Sequence, residues 1–187
     1  MKVVMLNGSW NQDGSTKAGL DEMAKVFAAE GVETEIVTIG GKPIADCMAC
    51  GKCAELKRGV FADDGVNAFA EKAKGADGFV FGSPVYYAHP SGRIQSFLDR
   101  LFFSTMRADG YAAFHHKPVA SIVVGSSYWN EFHALTKDDV PQDPEGLQTL
   151  RNLARNMVYV MKCQKAGRDA GILPPANESG VFTNFVR

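Results

Sequence analysis

Short β-forming runs alternate with longer segments of helical periodicity along most of this chain, and that alternation leaves few folds open. Residues 3–6 are apolar and end at Asn7-Gly8. From Ser15 the pattern turns helical, with Leu20, Met23, Ala24, Phe27 and Ala28 on one face, until Gly31 stops it. Residues 32–39, rich in Val, Ile and Thr, predict a second strand closed by Gly40-Gly41. Asp63-Asp64 supplies a cap for a helix carrying Val66, Phe69, Ala70 and Ala73 and ending at Gly75. Residues 78–82 form a third strand running into Ser83-Pro84, and Ser91 caps a helix with Ile94, Phe97, Leu98 and Leu101 inward. Residues 118–125 predict a fourth strand. Asp143-Pro144-Glu145 opens a last helix with Leu147, Leu150, Ala154, Met157, Val158 and Met161 at helical spacing. Alternation of this kind predicts an α/β fold, a doubly wound parallel sheet with helices on both faces.

Composition excludes the main competitors. The chain has 187 residues, 20 Lys+Arg and 21 Asp+Glu, a formal net charge of −1. That balance removes the basic face expected for nucleic acid. No apolar run approaches the roughly 18–20 residues of a membrane span. Residues 1–187 read as a single domain able to bury its own core, with an extended Gly- and Pro-rich tail from about residue 168. The N-terminal apolar run has no cleavage site after it and reads as a first strand rather than a secretion signal. A cytoplasmic enzyme is therefore expected.

In parallel sheets ligands bind beyond the carboxyl ends of the strands. The loop after strand one, Asn7-Gly8-Ser9-Trp10-Asn11-Gln12-Asp13-Gly14-Ser15-Thr16, carries small and hydroxylated residues into a helix N-terminus, a ready anion site. It is not a Walker loop, since five residues separate Gly8 from Gly14 and Ser15 stands where Lys should be. Nor does it carry the three glycines of a dinucleotide fingerprint. Taken alone it is equally an ordinary capped turn. The loop after strand three, Ser83-Pro84-Val85-Tyr86-Tyr87-Ala88-His89-Pro90, pins backbone with two prolines and offers aromatic faces beside amides. Two such loops at one sheet mouth point to a phosphorylated aromatic cofactor.

At this point the chain resembles the NADPH-dependent FMN reductase branch of the flavodoxin-like superfamily, near its iron–sulfur flavoprotein subgroup. The matching residues are Asn7-Gly8-Ser9 with Gly14-Ser15-Thr16, Cys47-x-x-Cys50-x-x-Cys53 followed by Asp63-Asp64, Ala76-Asp77-Gly78 with Gly82-Ser83-Pro84-Val85-Tyr86, Phe97-Leu98-Asp99-Arg100, residues 125–130 and residues 146–151. The resemblance implies a flavodoxin-like fold with bound FMN. Ser9, Asn11, Ser15 and Thr16 would hold its phosphate, and Pro84, Val85, Tyr86 and Tyr87 would border its ring. Asn11 stands where family members often carry Arg or Lys, a loss that Lys17 could offset. The implied activity is that of an FMN-dependent NAD(P)H oxidoreductase of flavin or quinone reductase type, ping-pong through the flavin, with NAD(P)H as co-substrate and a quinone, flavin or similar small molecule as acceptor. A homodimer or homotetramer is expected, with Val181, Phe182, Phe185 and Val186 as apolar anchors.

The alternatives are a flavodoxin-like electron carrier, a flavin-binding regulatory module and an iron–sulfur flavoprotein. The carrier fits poorly with a net charge of −1. For the cluster, related proteins use a fourth Cys several residues after the third, and here Gly59 occupies that place. Cys47, Cys50 and Cys53 are therefore expected as free thiols with no metal. Cys163 reads as a small core residue, Asp99-Arg100 as a structural ion pair or cap, Trp129 as a flavin cover, subunit contact or core residue, and His89 as a solvated loop side chain. His115 and His116 precede a strand, where adjacent side chains point to opposite faces and do not easily ligate one metal, and His133 shows no partner in the sequence.

Only four strands are legible where the flavodoxin-like sheet has five. Residues 116–121 resemble its fourth strand and residues 122–130 its fifth, with the intervening β–α unit absent. Parallel neighbours need a crossover of about a dozen residues or more. Two outcomes follow: a break in the chain between Ser121 and Ile122, or a sheet short by one strand. The break is expected, because a lost strand would open the core.

Overall fold

The computed structural model describes residues 1–125, 131–134 and 136–176. Its elements are β1 (Lys2–Asn7), α1 (Ser15–Ala29), β2 (Glu33–Thr38), α2 (Cys53–Leu56), α3 (Val66–Lys74), β3 (Gly78–Tyr86), β4 (His89–Pro90), α4 (Gly92–Asp109), β5 (Val119–Gly125), β6 (Glu131–His133), a 3-10 helix (Lys137–Gln142) and α5 (Pro144–Asp169). Five strands lie in the order β2-β1-β3-β5-β6, every neighbouring pair parallel, and β4 turns back antiparallel on the end of β3. This is the flavodoxin-like doubly wound sheet.

Alternation along the strands builds two cores. Val3 and Met5 of β1 face one side, with Val80, Ala120, Ile122 and Val124, under α1 and α5. Val4 and Leu6 face the other, with Phe79 and Phe81, under α3 and α4. The second core is dominated by phenylalanines: the Phe69 ring meets Phe97 edge-on at 5.7 Å, and Phe79 contacts Phe114 at 4.9 Å. Such pairs add about 0.5–1.5 kcal/mol each beyond the area they bury. On α1 the buried stripe is Thr16, Gly19, Leu20, Met23, Val26 and Phe27, so Ala28 falls just outside the predicted face. Cys163, expected in the core, is exposed on α5. Its helical position lies off the stripe formed by Met157, Val158 and Met161.

The expected break between Ser121 and Ile122 is not found. Residues 119–124 of β5 pair without interruption against residues 79–84 of β3. Nor is the sheet a strand short, since β6 supplies the fifth. The sequence hides β6 because it has only three residues and follows β5 with just residues 126–130 between. That connection is too short to hold a crossover helix. The loop residues that resemble the family there, Trp129 among them, lie outside the described residues.

Phe132 secures β6. Cβ atoms on Gly19 of α1 and Gly146 of α5 would sit 2.5 Å and 2.3 Å from it, so both helices can close on this strand only where they carry no side chain. Asp143 completes the joint: its carboxylate accepts the Gly146 amide at 2.9 Å, capping α5, and the His133 amide at 2.6 Å. Burial pushes the Asp143 carboxyl up, but the two amides and His133 outweigh it and leave it below the usual carboxylate range. A carboxyl depressed in the folded state stabilises above its unfolded pKa, and that stability is lost as pH falls through the folded value. Asp143→Ala should cost about 1 kcal/mol or more at pH 7. The gap between variant and parent should narrow below about pH 4 as the parent's carboxylate protonates. Thermal denaturation of both proteins from pH 7 to pH 3 checks this; a gap that stays constant with pH refutes it.

Candidate active site

Strand order reverses at β1, which lies between β2 and β3, and the chain leaves the carboxyl ends of β1 and β3 in opposite directions. A cleft of about 510 Å³ opens there. It is lined by Ser9, Asn11, Asp13, Gly14, Ser15 and Thr16 from the first loop, by Pro84, Val85 and Tyr86 from the end of β3, by Val124 and Gly125, and by Ala134 and residues 136–138. Seven of the eight residues singled out from sequence therefore share one cavity. The eighth, Tyr87, stands at a hairpin tip and is 99% exposed, outside the cleft.

The first loop is curled by its own side chains. The Ser9 amide donates to Asn7 Oδ1, the Asn11 amide to Ser9 Oγ and the Asp13 amide to Asn11 Oδ1, each at 3.1 Å. Successive two-residue turns of this kind replace secondary structure and use Ser9 Oγ and Asn11 Oδ1 as acceptors, so that the Ser9 hydroxyl proton and Asn11 Nδ2 are not used in these turns. The loop delivers the chain to α1 through Gly14, which offers no side-chain cap. The first intrahelical bond runs from Ala18 to the Gly14 carbonyl, so the amides of Ser15, Thr16 and Lys17 have no partner within the helix. Beneath them Asn7 is fully buried and its Nδ2 has no hydrogen-bond partner among the described residues. Uncapped amides, helix dipole and hydroxyls make one end of the cleft an anion site.

Lys17, the cation suggested for this end, pairs with Asp21 at 2.6 Å and lies near enough to Asp13 to help lower its carboxyl. A second cation, Lys137, lines the cleft itself. It enters the cleft from the 3-10 helix, far away in sequence, and pairs with Asp13. The pairing holds the Asp13 carboxyl below its ordinary range and the Lys137 ammonium above its own. No local pattern marks Lys137, because only the packing of the 3-10 helix against α1 brings it here.

The other wall is β3 running beyond the sheet. Tyr86 pairs with His89 and Val85 with Pro90, and the two residues between, Tyr87 and Ala88, have φ of 50° and 66°. This is the geometry of a two-residue hairpin that ordinarily takes Asn-Gly. Left-handed backbone at each side-chain-bearing residue costs about 1–2 kcal/mol. The hairpin is tied back to α4: the Ser91 amide donates to Ser83 Oγ at 3.0 Å and the Ser91 side chain caps Ile94. His89 is exposed in this loop, as expected, its Nδ1 beside the Pro90 carbonyl.

Two arginines brace the loop after β2. Arg93 reaches the carbonyls of Gly40 and Lys42 and stacks 5.0 Å over Trp10. Burial pulls its pKa down, partly countered by Tyr86. Arg100 pairs with Asp64, not with its neighbour Asp99, bonds the Ala45 carbonyl and lies 4.4 Å over Phe61. The expected Asp99-Arg100 pair is thus replaced by a buried link from α4 to the entrance of α3, because neighbouring residues on a helix point apart. Cys47, Cys50 and Cys53 line a small hollow with Arg100, Phe61 and Gly59. Among the described residues, no group of three or more His, Cys, Asp or Glu side chains is placed to hold a metal ion. No described helix is long and apolar enough to cross a membrane.

Fold and cleft together define a flavodoxin-like protein with an anion end and an apolar wall at the switch point of its sheet. The chain belongs to the NADPH-dependent FMN reductase family, whose model matches residues 1–137. It is 35% identical to an iron-sulfur flavoprotein of Methanocaldococcus jannaschii over 100 residues, 54% of this chain and 51% of that protein, so it aligns with about half the relative's length. It is 24% identical to an iron-sulfur flavoprotein of Methanosarcina thermophila over 194 residues, covering 90% of this chain and 100% of the relative. Among solved structures, a flavone reductase superposes with TM-score 0.62 at 16% identity, covering 88% of this chain and 64% of that one. The flavoenzyme NAD(P)H:(acceptor) oxidoreductase of Paracoccus denitrificans gives TM-score 0.58 at 14% identity, covering 87% and 97%. At these identities the structures show the shared fold.

The strained hairpin yields a test. Ala88→Gly should raise stability by about 1 kcal/mol in urea denaturation, since glycine adopts positive φ without a Cβ penalty. A variant of equal or lower stability means that Ala88 is not left-handed in solution.

Proposed function

We propose that the cleft binds FMN and that the protein is an NAD(P)H oxidoreductase in which nicotinamide and then a small-molecule acceptor, a quinone or flavin, use one open face in a ping-pong sequence. The observation that carries this reading is the pairing, in a single cleft, of uncapped α1 amides at one end with the Pro84-Val85-Tyr86 wall at the other. The residues present fit the cofactor: the volume lies within the roughly 300–1,000 Å³ of ligand pockets, and the buried unpartnered Asn7 Nδ2 backs the loop that would curl round the phosphate. FMN, when bound, supplies the two-electron chemistry, for which no side-chain acid or base is required.

The chain's own residues bind and orient. Ser9, Asn11, Ser15 and Thr16 donate hydrogen bonds at the anion end, and Lys137 exchanges Asp13 for phosphate. Pro84, Val85 and Tyr86 present apolar surface and backbone amides to the ring, while Tyr87, at the exposed hairpin tip, is left to meet an incoming acceptor.

The names of the relatives raise an iron–sulfur cluster, and the residues here do not fit a four-thiolate one. Gly59 stands at the fourth position, and its Cβ would lie 2.9 Å from Asn67 Oδ1. Asn67 cannot readily yield: it accepts the Gly59 amide at 2.8 Å and donates to the carbonyls of Gly59 and Phe61.

The purified protein should bind FMN one to one and oxidise NAD(P)H when quinone or free flavin is supplied, with parallel lines in double-reciprocal plots. Failure to take up added FMN overturns the reading. Turnover only with a partner reductase would favour an electron carrier. The phosphate end is tested separately by flavin-fluorescence titration. Lys137→Ala should weaken FMN binding by about threefold or more and Asp13→Asn should tighten it, with riboflavin unaffected by either. Equal effects on FMN and riboflavin would place Lys137 away from the phosphate.

A further inference from the structure

Lys17 meets Asp21, Lys137 meets Asp13 and Arg100 meets Asp64. Arg93 meets no carboxylate among the described residues. Its Nη2 donates to the carbonyls of Gly40 and Lys42, the latter at 2.8 Å, while its Nε and Nη1 are buried with no hydrogen-bond partner among those residues.

Such a placement is unfavourable on two counts. A guanidinium with buried, unsatisfied N–H groups loses solvation that two carbonyls only partly replace. Arg93 is also the second residue of α4, where the helix dipole favours negative charge over positive. A neutral side chain would avoid both. Sites where a chain breaks its local rules are those where a functional demand is expected.

The position of the charge shows what that demand is. Arg93 stacks 5.0 Å over Trp10, which stands between the cleft-lining Ser9 and Asn11. Through Gly40 and Lys42 it holds the loop after β2. Tyr86, part of the wall of the cleft, lies within electrostatic reach of the guanidinium. The next residue, Ile94, presses the first turn of α4 against the start of the first loop, since a Cβ on Gly8 would lie 2.7 Å from Ile94 Cδ1. The guanidinium is thus fixed where three segments at the mouth of the cleft meet, on the side of the Pro84-Val85-Tyr86 wall. In partly buried surroundings a charge acts over longer distances than in bulk water.

We propose that Arg93 tunes the reduction potential of the flavin, its fixed positive charge favouring the ring after it has accepted hydride from NAD(P)H. The inference rests on the reading that the cleft holds FMN. Hydride carries two electrons and one proton, so NAD(P)H leaves as NAD(P)+ and the ring gains one negative charge. Passing both electrons and that proton to a quinone, with a second proton from solvent, removes the charge again. A cation held in place throughout needs no reorganisation to stabilise it.

The test compares Arg93→Gln and Arg93→Lys with the parent, first by fluorescence titration with oxidised FMN and then by dye-equilibrated measurement of the midpoint potential. Arg93→Gln should bind oxidised FMN within about threefold of the parent and lower the two-electron potential by about 30 mV, an about tenfold loss for the reduced over the oxidised form. Arg93→Lys keeps the charge without the planar fork and should stay nearer the parent than Arg93→Gln does. An unchanged potential in Arg93→Gln overturns the proposal and leaves Arg93 a brace for the loops. So does an Arg93→Lys potential as low as that of Arg93→Gln. Should the Gln variant fail to fold, the parent alone still decides: it should bind reduced FMN at least as tightly as oxidised FMN, and weaker binding of the reduced form overturns the proposal. A parent that takes up neither form overturns the cofactor reading itself, and the inference with it.

Discussion

Parallel pairing of β1 with β3 is the constraint on which the remaining structure depends. Their register, from Val3 against Gly78 to Asn7 against Gly82, brings two chain exits to the same end of the sheet. The Gly8 amide extends the pairing one step further by donating to the Gly82 carbonyl at 2.8 Å. Beyond that bond the strands part. β1 gives way to a curled loop that ends on uncapped helix amides, while β3 continues as an apolar strap. The cleft is the space left between them, and its two ends differ in chemistry because one is made of exposed backbone donors and the other of side-chain surface.

Local restraint holds these loops in shape. Three two-residue turns fix the path from Asn7 to Asp13, and a left-handed pair at Tyr87 and Ala88 folds the strap back on itself. Strain of that kind persists only where neighbours over-determine the backbone. Here the Ser83–Ser91 contact and the cap on α4 do so. Arg93 and Arg100 extend the same bracing to the loop after β2. Each turns backbone carbonyls of that loop toward a guanidinium stacked on an aromatic ring, so the cysteine segment is held from α4.

The short β5–β6 connection shapes the opposite flank. A crossover helix would have covered β5 and filled the space beside α4; without one, the described residues close the sheet at the cleft end with Phe132 and Asp143 and leave Val119 and Ser121 exposed at the other. Gly19 and Gly146 show how tightly that closure is made, since neither site has room for a methyl group. The fold thus concentrates its packing where the cleft needs it.

Much of this was legible from residue order. Hydrophobic spacing marks α1, α4 and α5, β-rich runs mark β1 to β3, and the Ser91 and Asp143 caps mark the helix starts they occupy. The small and hydroxylated loop after β1 and the proline-pinned loop after β3 identify seven of the residues that meet in one cleft, because strand ends in a parallel sheet must converge. Other features depend on contacts between distant segments. β6 is too short for any periodicity, Arg100 chooses Asp64 over its neighbour, and Cys163 points away from the core although its helix carries an apolar stripe. Lys137 reaches Asp13 only after the 3-10 helix packs on α1. Sequence by itself determined the elements, their parallel winding and the chemistry of the two loops, since those follow from local periodicity and backbone preference. Tertiary structure alone decided that Lys137 enters the cleft, that Asp64 answers Arg100 and that Phe132 locks β6 between two glycines, since these depend on distances between residues far apart along the chain.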